Sequence, residues 1–191
     1  MQAIILCGFP ACGKTTVAGL LASRLKVQVL GGTDMLREIA KERGYKPVGL
    51  NWWDTPEGVK FLRERASDPQ FDMEVDNRLI ERVKQGDVVV TSYTLPWLTD
   101  FGFKVWLEAS VETRAKRMAA RDNISVDEAK KVLEIRDTEN RELYEKLYGI
   151  HFGSDTSPFD LVIDVEKISA EEAAARILSA FGKSGTEQKQ K

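Results

Sequence analysis

The stretch AIILCGFPACGKTTVAGLLASRL, residues 3–25, decides the fold of this chain. Residues 3–7 are all apolar, which is typical of a strand buried on both faces of a parallel sheet. A glycine-containing turn follows, and from Lys14 to Leu25 apolar residues recur at helical spacing. The stretch therefore predicts a strand, a loop and a helix in immediate succession.

The turn itself, GFPACGKT at 8–15, matches the phosphate-loop pattern G-x-x-x-x-G-K-[ST] and lies where that pattern must lie, between a strand and a helix. Glycines at 8 and 13 allow backbone conformations that other residues avoid. Successive N–H groups at a helix N-terminus form a nest for anions. We predict that ATP is bound by Gly8, Phe9, Pro10, Ala11, Cys12, Gly13, Lys14, Thr15 and Thr16.

Three side chains of this loop have predicted roles. Lys14 places a positive charge at the β- and γ-phosphates of ATP, and Thr16 bonds the α-phosphate. The hydroxyl of Thr15 is predicted to ligate Mg²⁺. Cys12 is interpreted as a passive small residue of the loop.

The rest of the chain alternates strands and helices. Strands are predicted at 27–30, 87–92, 103–109 and 161–165, and helices at 35–43, 71–84, 111–121, 126–148 and 170–181. Capping boxes are predicted at Ser125 with Glu128 and at Ser169 with Glu172. Because parallel strands need crossover helices, this order predicts an α/β protein with a sheet between two helical layers.

Two segments break this alternation. Residues 45–70 contain Gly, Pro and Asn among large apolar residues, which indicates a small helical insert. Trp52 and Trp53 are interpreted as packing residues of this insert. Residues 182–191 are predicted to be a polar, disordered tail.

Composition excludes several function classes. The net charge of −2 gives no support for binding a nucleic-acid polymer. Neither a signal peptide nor a bilayer-spanning stretch is predicted. Cys7 and Cys12 do not suggest a disulfide framework, and His151 has no partner in sequence. We predict a cytoplasmic protein without membrane partners, and a monomer.

A phosphate loop alone names no reaction. The N-K-x-D element of a guanine-nucleotide switch is absent, and the third strand ends in VVVTSY without the acid expected of a motor ATPase. The DFG at 100–102 is interpreted as coincidence, since no H-R-D loop precedes it.

Arginines are placed as phosphoryl transfer would require. Arg114, Arg117 and Arg121 share one helix face, and Arg136 and Arg141 follow on the next helix. Solvated helix faces with neighbouring acids would explain any one of them. As a set they suit the many phosphate oxygens present when two nucleotides exchange a phosphoryl group.

The chain resembles the nucleoside monophosphate kinases, and among them the short archaeal-type cytidylate kinases. The resemblance covers about residues 1–181. It depends on the phosphate loop and on TDMLREIAKERG (33–44), DMEVDNRLIE (72–81), VWLEASVETRAKRMAARDNISVDEA (105–129), LYEKLYGI (143–150) and FDLVIDVEKISAEEAA (159–174).

This resemblance implies a P-loop NTPase three-layer sandwich with a five-stranded parallel sheet of order 2-3-1-4-5. It implies one kinase domain, 1–181, with a core of 1–31, 86–116 and 139–181, an acceptor-nucleotide insert at about 32–85 and a short lid at about 117–138. It further implies ATP with Mg²⁺ as phosphoryl donor and CMP or dCMP as acceptor, in pyrimidine nucleotide metabolism.

The resemblance also assigns site residues. Arg117 and Arg121 would close over the donor phosphates, with Arg136 and Arg141 nearer the transferring group. Strand five and the following loop, with Glu166 and Lys167, would pack against the donor adenine. The catalytic set would be Lys14, Arg117, Arg121, Arg136 and Arg141, and the acceptor contacts Thr33, Arg37, Asp76, Arg78 and Tyr93.

One departure from the family pattern concerns the acceptor. After the third strand this chain reads Thr91-Ser92-Tyr93, with tyrosine where such kinases usually carry an arginine. The acceptor identity therefore stays open between CMP, another nucleoside monophosphate such as AMP, and a small molecule that is not a nucleotide. A regulatory nucleotide-binding module or a partner-directed ATPase would use the same loop without an acceptor.

Overall fold

The computed structural model describes residues 1–49, 52–53, 55–68 and 70–187. Residues 50, 51, 54 and 69 of the predicted insert and 188–191 of the predicted tail lie outside the described residues. The strands are β1 (Ile4–Cys7), β2 (Gln28–Gly31), β3 (Val88–Thr91), β4 (Phe103–Glu108) and β5 (Leu161–Asp164). The helices are α1 (Lys14–Leu25), α2 (Gly32–Glu42), α3 (Pro56–Ser67), α4 (Gln70–Gln85), α5 (Leu95–Leu98), α6 (Val111–Asp122), α7 (Val126–Tyr148) and α8 (Ala170–Glu187).

The five strands form one parallel sheet in the order β2-β3-β1-β4-β5, which confirms the predicted fold. All carboxyl ends of parallel strands meet at one edge of the sheet, where ligands of open α/β sheets bind. The loop after β1 lies at this edge, between the ends of β3 and β4.

Alternation along β1 separates the two faces of the sheet. Ile4 and Leu6 pack on the side of α1 and α8, whereas Ile5 belongs to the cluster with residues of α2 and α4. Because both faces are covered by helices, every residue of β1 is buried.

The segment between β2 and β3 packs α2, α3 and α4 against one face of the sheet. Phe61 of α3 and Phe71 of α4 are buried there and pack against each other. Trp52 is 3% exposed and its indole Nε1 donates to Glu57 Oε2 over 2.8 Å. Trp52 is therefore a packing residue, as predicted.

Three details differ from the prediction. α5 was not predicted, because four residues beginning Leu-Pro carry no periodic pattern. α8 continues to Glu187 instead of ending at 181, with Phe181 packed against Phe103 of β4. Ser169 Oγ accepts from the Glu172 N–H, but the Glu172 carboxylate pairs with Arg176, so this capping box is half formed. The box at Ser125 and Glu128 is complete.

Candidate active site

The phosphate loop begins where β1 ends, and its backbone is shaped by left-handed residues. Gly8 has φ of 141°, Ala11 of 62° and Gly13 of 108°. A Cβ on Gly8 would lie 2.4 Å from the carbonyl oxygen of Leu107 in β4. Gly8 is thus required by the adjacent strand, while Gly13 directly precedes the first residue of α1. The loop delivers its N–H groups to the N-terminus of that helix.

Backbone carbonyl groups of the phosphate loop hold the side chain of Lys14 in place. Its Nζ donates to the carbonyl oxygens of Gly8 over 2.7 Å and Phe9 over 2.9 Å. The same Nζ lies 4.6 Å from the ring centroid of Tyr93, at the end of β3. Lys14 therefore lies between the phosphate loop and the ring of Tyr93.

A cavity of about 860 Å³ opens beside the loop. The predicted site residues that line it run from Pro10 to Thr16 and include Tyr93, Arg117, Arg121 and Arg136. The opposite wall is Val165, Ile168, Ser169, Ala170 and Ala173, from the end of β5 into α8. Sequence reasoning placed strand five and the loop after it near the donor base, but it did not identify Ile168, Ser169, Ala170 and Ala173 as part of the wall.

Thr15 fits the predicted magnesium role. It is exposed in the first turn of α1 and lines the cavity. Within the described ranges, no three His, Cys, Asp or Glu residues are grouped so that they could hold a metal ion. Mg²⁺ at phosphate sites keeps several waters and takes few protein ligands, so one hydroxyl beside a phosphate-binding loop suits it.

The arginines divide into paired and unpaired groups. Arg114 is buried and forms an ion pair with Asp137 of α7, Nη2 to Oδ2 2.8 Å. Arg117 donates to the carbonyl oxygens of Cys12 over 3.0 Å and Val165 over 2.6 Å, and so joins the two walls of the cavity. Arg121 pairs with the adjacent Asp122, which raises the pKa of Arg121.

Arg136 and Arg141 are different. Both are exposed on α7, and in the part of the chain that the structure describes neither donates a hydrogen bond nor forms an ion pair. Arg136 lines the cavity, and Arg141 lies with its guanidinium carbon 4.9 Å from the ring centroid of Phe9. Their N–H groups are available to a ligand.

The predicted acceptor residues do not all meet at this cavity. Thr33 is exposed in the first turn of α2. Arg37 donates to the carbonyl oxygens of Pro47 over 3.1 Å and Gly49 over 2.9 Å, with Trp53 under its guanidinium. Arg78 pairs with Glu42 and Glu74 and lines a separate shallow cleft between α2 and α4.

Asp76 is buried in a hydrogen-bond network at the end of β3. Its Oδ1 accepts from Thr94 Oγ1 and its Oδ2 from Tyr148 OH, each over 2.7 Å. Burial raises the pKa of Asp76, although both hydrogen bonds act to lower it. Burial and the bond to Asp76 raise the pKa of Tyr148 as well. The network joins α4 to the last residue of α7.

Glu166 is bonded to the residues that begin α6. Its carboxylate accepts from the Thr113 hydroxyl and from the Ser110 N–H and hydroxyl, at the N-terminus of α6. These hydrogen bonds, that from Thr113 first, lower the pKa of Glu166 to about 2. The carboxylate thus fixes the β5–α8 loop, and the neighbouring Val165 and Ile168 line the cavity.

Both cysteines are buried and free. Burial raises the pKa of the Cys7 thiol to about 12. Cys12 packs in the core cluster with Val17 and Leu21 of α1. Its predicted passive role is in accord with this packing.

Comparison with known proteins decides the family. The model of the cytidylate kinase-like family matches residues 4–167. The chain belongs to the cytidylate kinase-like family. A cytidylate kinase of Pyrobaculum arsenaticum is 33% identical over 175 residues, 91% of this chain and 89% of the relative. A cytidylate kinase of Pyrococcus horikoshii is 32% identical over 179 residues, 93% and 87%.

Solved structures share the fold. A shikimate kinase from Acinetobacter baumannii, solved with shikimate, superposes with a TM-score of 0.58 at 20% identity, over 96% of this chain and 94% of that one. An uncharacterised protein from Eubacterium ventriosum gives a TM-score of 0.68 at 17% identity, over 94% and 97%. At these sequence identities the likeness to the two solved structures concerns the fold alone. No helix in the described ranges is both long and apolar enough to cross a membrane.

Proposed function

We propose that this chain transfers the γ-phosphoryl group of ATP to CMP or dCMP. The observation that carries the proposal is the cavity in which the phosphate loop and Lys14 face Tyr93 and the unpaired Arg136. Family membership and the names of the archaeal relatives support cytidine monophosphate as acceptor. The insert at 32–85 and the lid at 117–138 are part of this proposal.

The donor occupies the cavity along its length. Its phosphates lie on the loop from Gly8 to Thr16, and its base lies toward Val165 and Ile168. Arg117, which bonds both the loop and Val165, lies at the junction of the base and phosphate regions. Mg²⁺ bound with ATP would be held through Thr15 and would neutralise phosphate charge.

The acceptor phosphate lies beyond Lys14, on the side of Tyr93. An oxygen of this phosphate attacks the γ-phosphorus in line; the new O–P bond forms as the bond to the β–γ bridging oxygen breaks, and ADP leaves. Because the attacking oxygen is already anionic, no general base is needed. Lys14 and the free donors of Arg136 and Arg141 neutralise charge on the transferred group.

Contacts to the rest of the acceptor are proposed for Thr33, Arg37, Asp76 and Tyr93. Arg37 would exchange its bonds to the Pro47 and Gly49 carbonyl oxygens for the acceptor phosphate. Arg78 is left out of this site, because its guanidinium is taken by the carboxylates of Glu42 and Glu74.

An acceptor panel tests the proposal. ADP formation from ATP and Mg²⁺ is measured with each ribo- and deoxynucleoside monophosphate and with no acceptor. We expect CMP and dCMP to be the best acceptors and the acceptor-free rate to be far lower. The panel also includes AMP, UMP and shikimate. Tyr93 is a proposed acceptor contact, so an unusual residue there could select an acceptor other than CMP. ATP consumption that no acceptor stimulates would refute the kinase assignment.

A further inference from the structure

Phe9, the second residue of the phosphate loop, is held by an aromatic cluster. Its ring centroid lies 5.0 Å from that of Phe152 and 5.6 Å from that of Trp106, both edge to face. Gly153 lies against the ring so closely that a Cβ there would be 2.2 Å from Phe9 Cζ. The ring therefore has a defined place beside the loop.

Two guanidinium groups lie over this ring. The Cζ atoms of Arg114 and Arg141 are each 4.9 Å from its centroid. Arg114 is also fixed by Asp137 and by the Pro10 carbonyl oxygen. For Arg141, by contrast, no hydrogen bond or ion pair is found within the described residues, and the Phe9 ring is its cation–π partner. The Phe9 ring therefore restricts the position of the Arg141 guanidinium.

The helix that carries Arg141 is fixed to the same loop one turn earlier. Asp137 precedes Arg141 by four residues in α7, so both lie on one face of that helix. The Arg114 side chain joins Asp137 to the carbonyl of Pro10. The backbone at Arg141 is therefore held in register with the phosphate loop, and Phe9 restricts only its long side chain.

We propose that Phe9 is a positioning residue that holds the Arg141 guanidinium beside the phosphate loop, with its donors free for the transferring phosphoryl group. The inference rests on the proposed function, which assigns Arg141 to the transfer. A cation over an aromatic face is attracted by the negative potential of the ring and keeps every N–H group available. A carboxylate partner would instead occupy those donors.

Steady-state kinetics with Phe9→Leu test the inference. Leucine keeps apolar bulk without a π face, so we expect kcat for CMP to fall about fivefold, as about 1 kcal/mol of lost positioning predicts. The KM for ATP should stay within about twofold, because the loop N–H groups are unchanged. Phe159→Leu, in the same aromatic cluster but without an arginine over it, is the matched control.

A double-variant comparison assigns the effect to Arg141. Adding Phe9→Leu to Arg141→Met should lower kcat no further than adding Phe159→Leu does. An additional fivefold loss in that background would overturn the inference. So would a loss that appears only in the KM for ATP, or an equal kcat loss in Phe9→Leu and Phe159→Leu.

An NMR measurement separates this inference from the proposed function. The Arg141 Nε–H resonance, assigned by its loss in Arg141→Lys, should be shifted upfield by the ring current of Phe9. The shift should vanish in Phe9→Leu and persist in Phe159→Leu. If CMP were not phosphorylated and this shift were present, the acceptor assignment would fail while the contact stood. An Arg141 shift that does not respond to Phe9→Leu would refute the positioning role directly.

Discussion

Arg114 and Asp137 form an ion pair between α6 and α7, with their side chains only 3% and 8% exposed. Arg114 Nη1 also donates to the Pro10 carbonyl oxygen over 3.3 Å, whereas its Nε has no hydrogen-bond partner. The pair joins the two helices of the proposed lid to each other and to the phosphate loop. Arg114 is thus a structural residue, although it shares a helix face with Arg117 and Arg121.

Breaking this pair should destabilise the fold. Arg114→Met leaves the Asp137 carboxylate buried without its partner, and the expected loss is about 3–5 kcal/mol of unfolding free energy. Urea unfolding measures it. Arg176→Ala, which removes an exposed pair with Glu172, should cost less than about 0.5 kcal/mol. The double variant Arg114→Met with Asp137→Leu should recover most of the lost unfolding free energy, because no unpaired charge is then buried. An Arg114→Met variant that unfolds at the wild-type urea midpoint would show that the ion pair does not stabilise the fold.

Lys14→Met should remove most activity without unfolding the protein. Its Nζ contacts the loop carbonyl oxygens and the Tyr93 ring, and its charge is proposed to act on the γ-phosphate. We expect kcat to fall by roughly 10²–10³, the range typical of a lost transition-state donor. Lys84→Met, which removes a surface pair with Glu81, is the control. An unchanged kcat with an intact thermal transition would eliminate the proposed mechanism.

Arg37→Ala should weaken the acceptor far more than the donor. The charged bonds that Arg37 would make to a phosphate contribute roughly 1.5–3 kcal/mol, so the KM for CMP should rise about 10- to 100-fold. The KM for ATP should change little. Arg63→Ala, exposed on α3 in the same proposed insert, should leave both constants unaltered. A larger rise in the KM for ATP would mean that donor and acceptor sides have been exchanged.

Asp76 should make stability depend on pH in a defined direction. Burial raises the pKa of Asp76 above its ordinary value of 3.8, so the folded state holds this proton more tightly than the unfolded state. Its contribution to stability is therefore greatest below pH 3.8 and declines as pH rises through the folded pKa.

Urea unfolding at several pH values measures this dependence on Asp76. The unfolding free energy of the wild type, relative to that of Asp76→Asn, should increase as pH falls from 7 towards 4. Asp100→Asn, at an exposed position, is the control for removal of a carboxylate. A relative stability that decreases on acidification would show that the hydrogen bonds from Thr94 and Tyr148 outweigh burial.

The local chemistry of the chain was predictable where it depends on neighbouring residues. The 3–25 stretch combines a buried strand, glycines and a lysine in an order that only a phosphate-binding turn explains, and the structure confirms each element. The capping box at Ser125 likewise needs only residues three apart. The strand order came from the family resemblance, since alternation alone predicts parallel strands without ordering them.

The roles of the arginines were not predictable because their partners come from distant elements. Arg78 meets Glu42, 36 residues away, and Arg114 meets Asp137, 23 residues away. In the sequence, Arg78 and Arg114 cannot be distinguished from Arg136 and Arg141. Only the packed structure shows which guanidinium groups are paired and which are available to a ligand. The cavity wall at Val165 and Ile168 is also hard to predict from sequence, because apolar residues after a strand equally suit an ordinary core.

The close approach of Gly8 to the Leu107 carbonyl has a consequence for reading mutational scans of such kinases. An alanine at this position would collide with the neighbouring strand before any nucleotide arrived, so inactivity there would report a displaced sheet and not a lost phosphate contact. Soluble yield and melting temperature, rather than turnover, are the quantities that this glycine governs first.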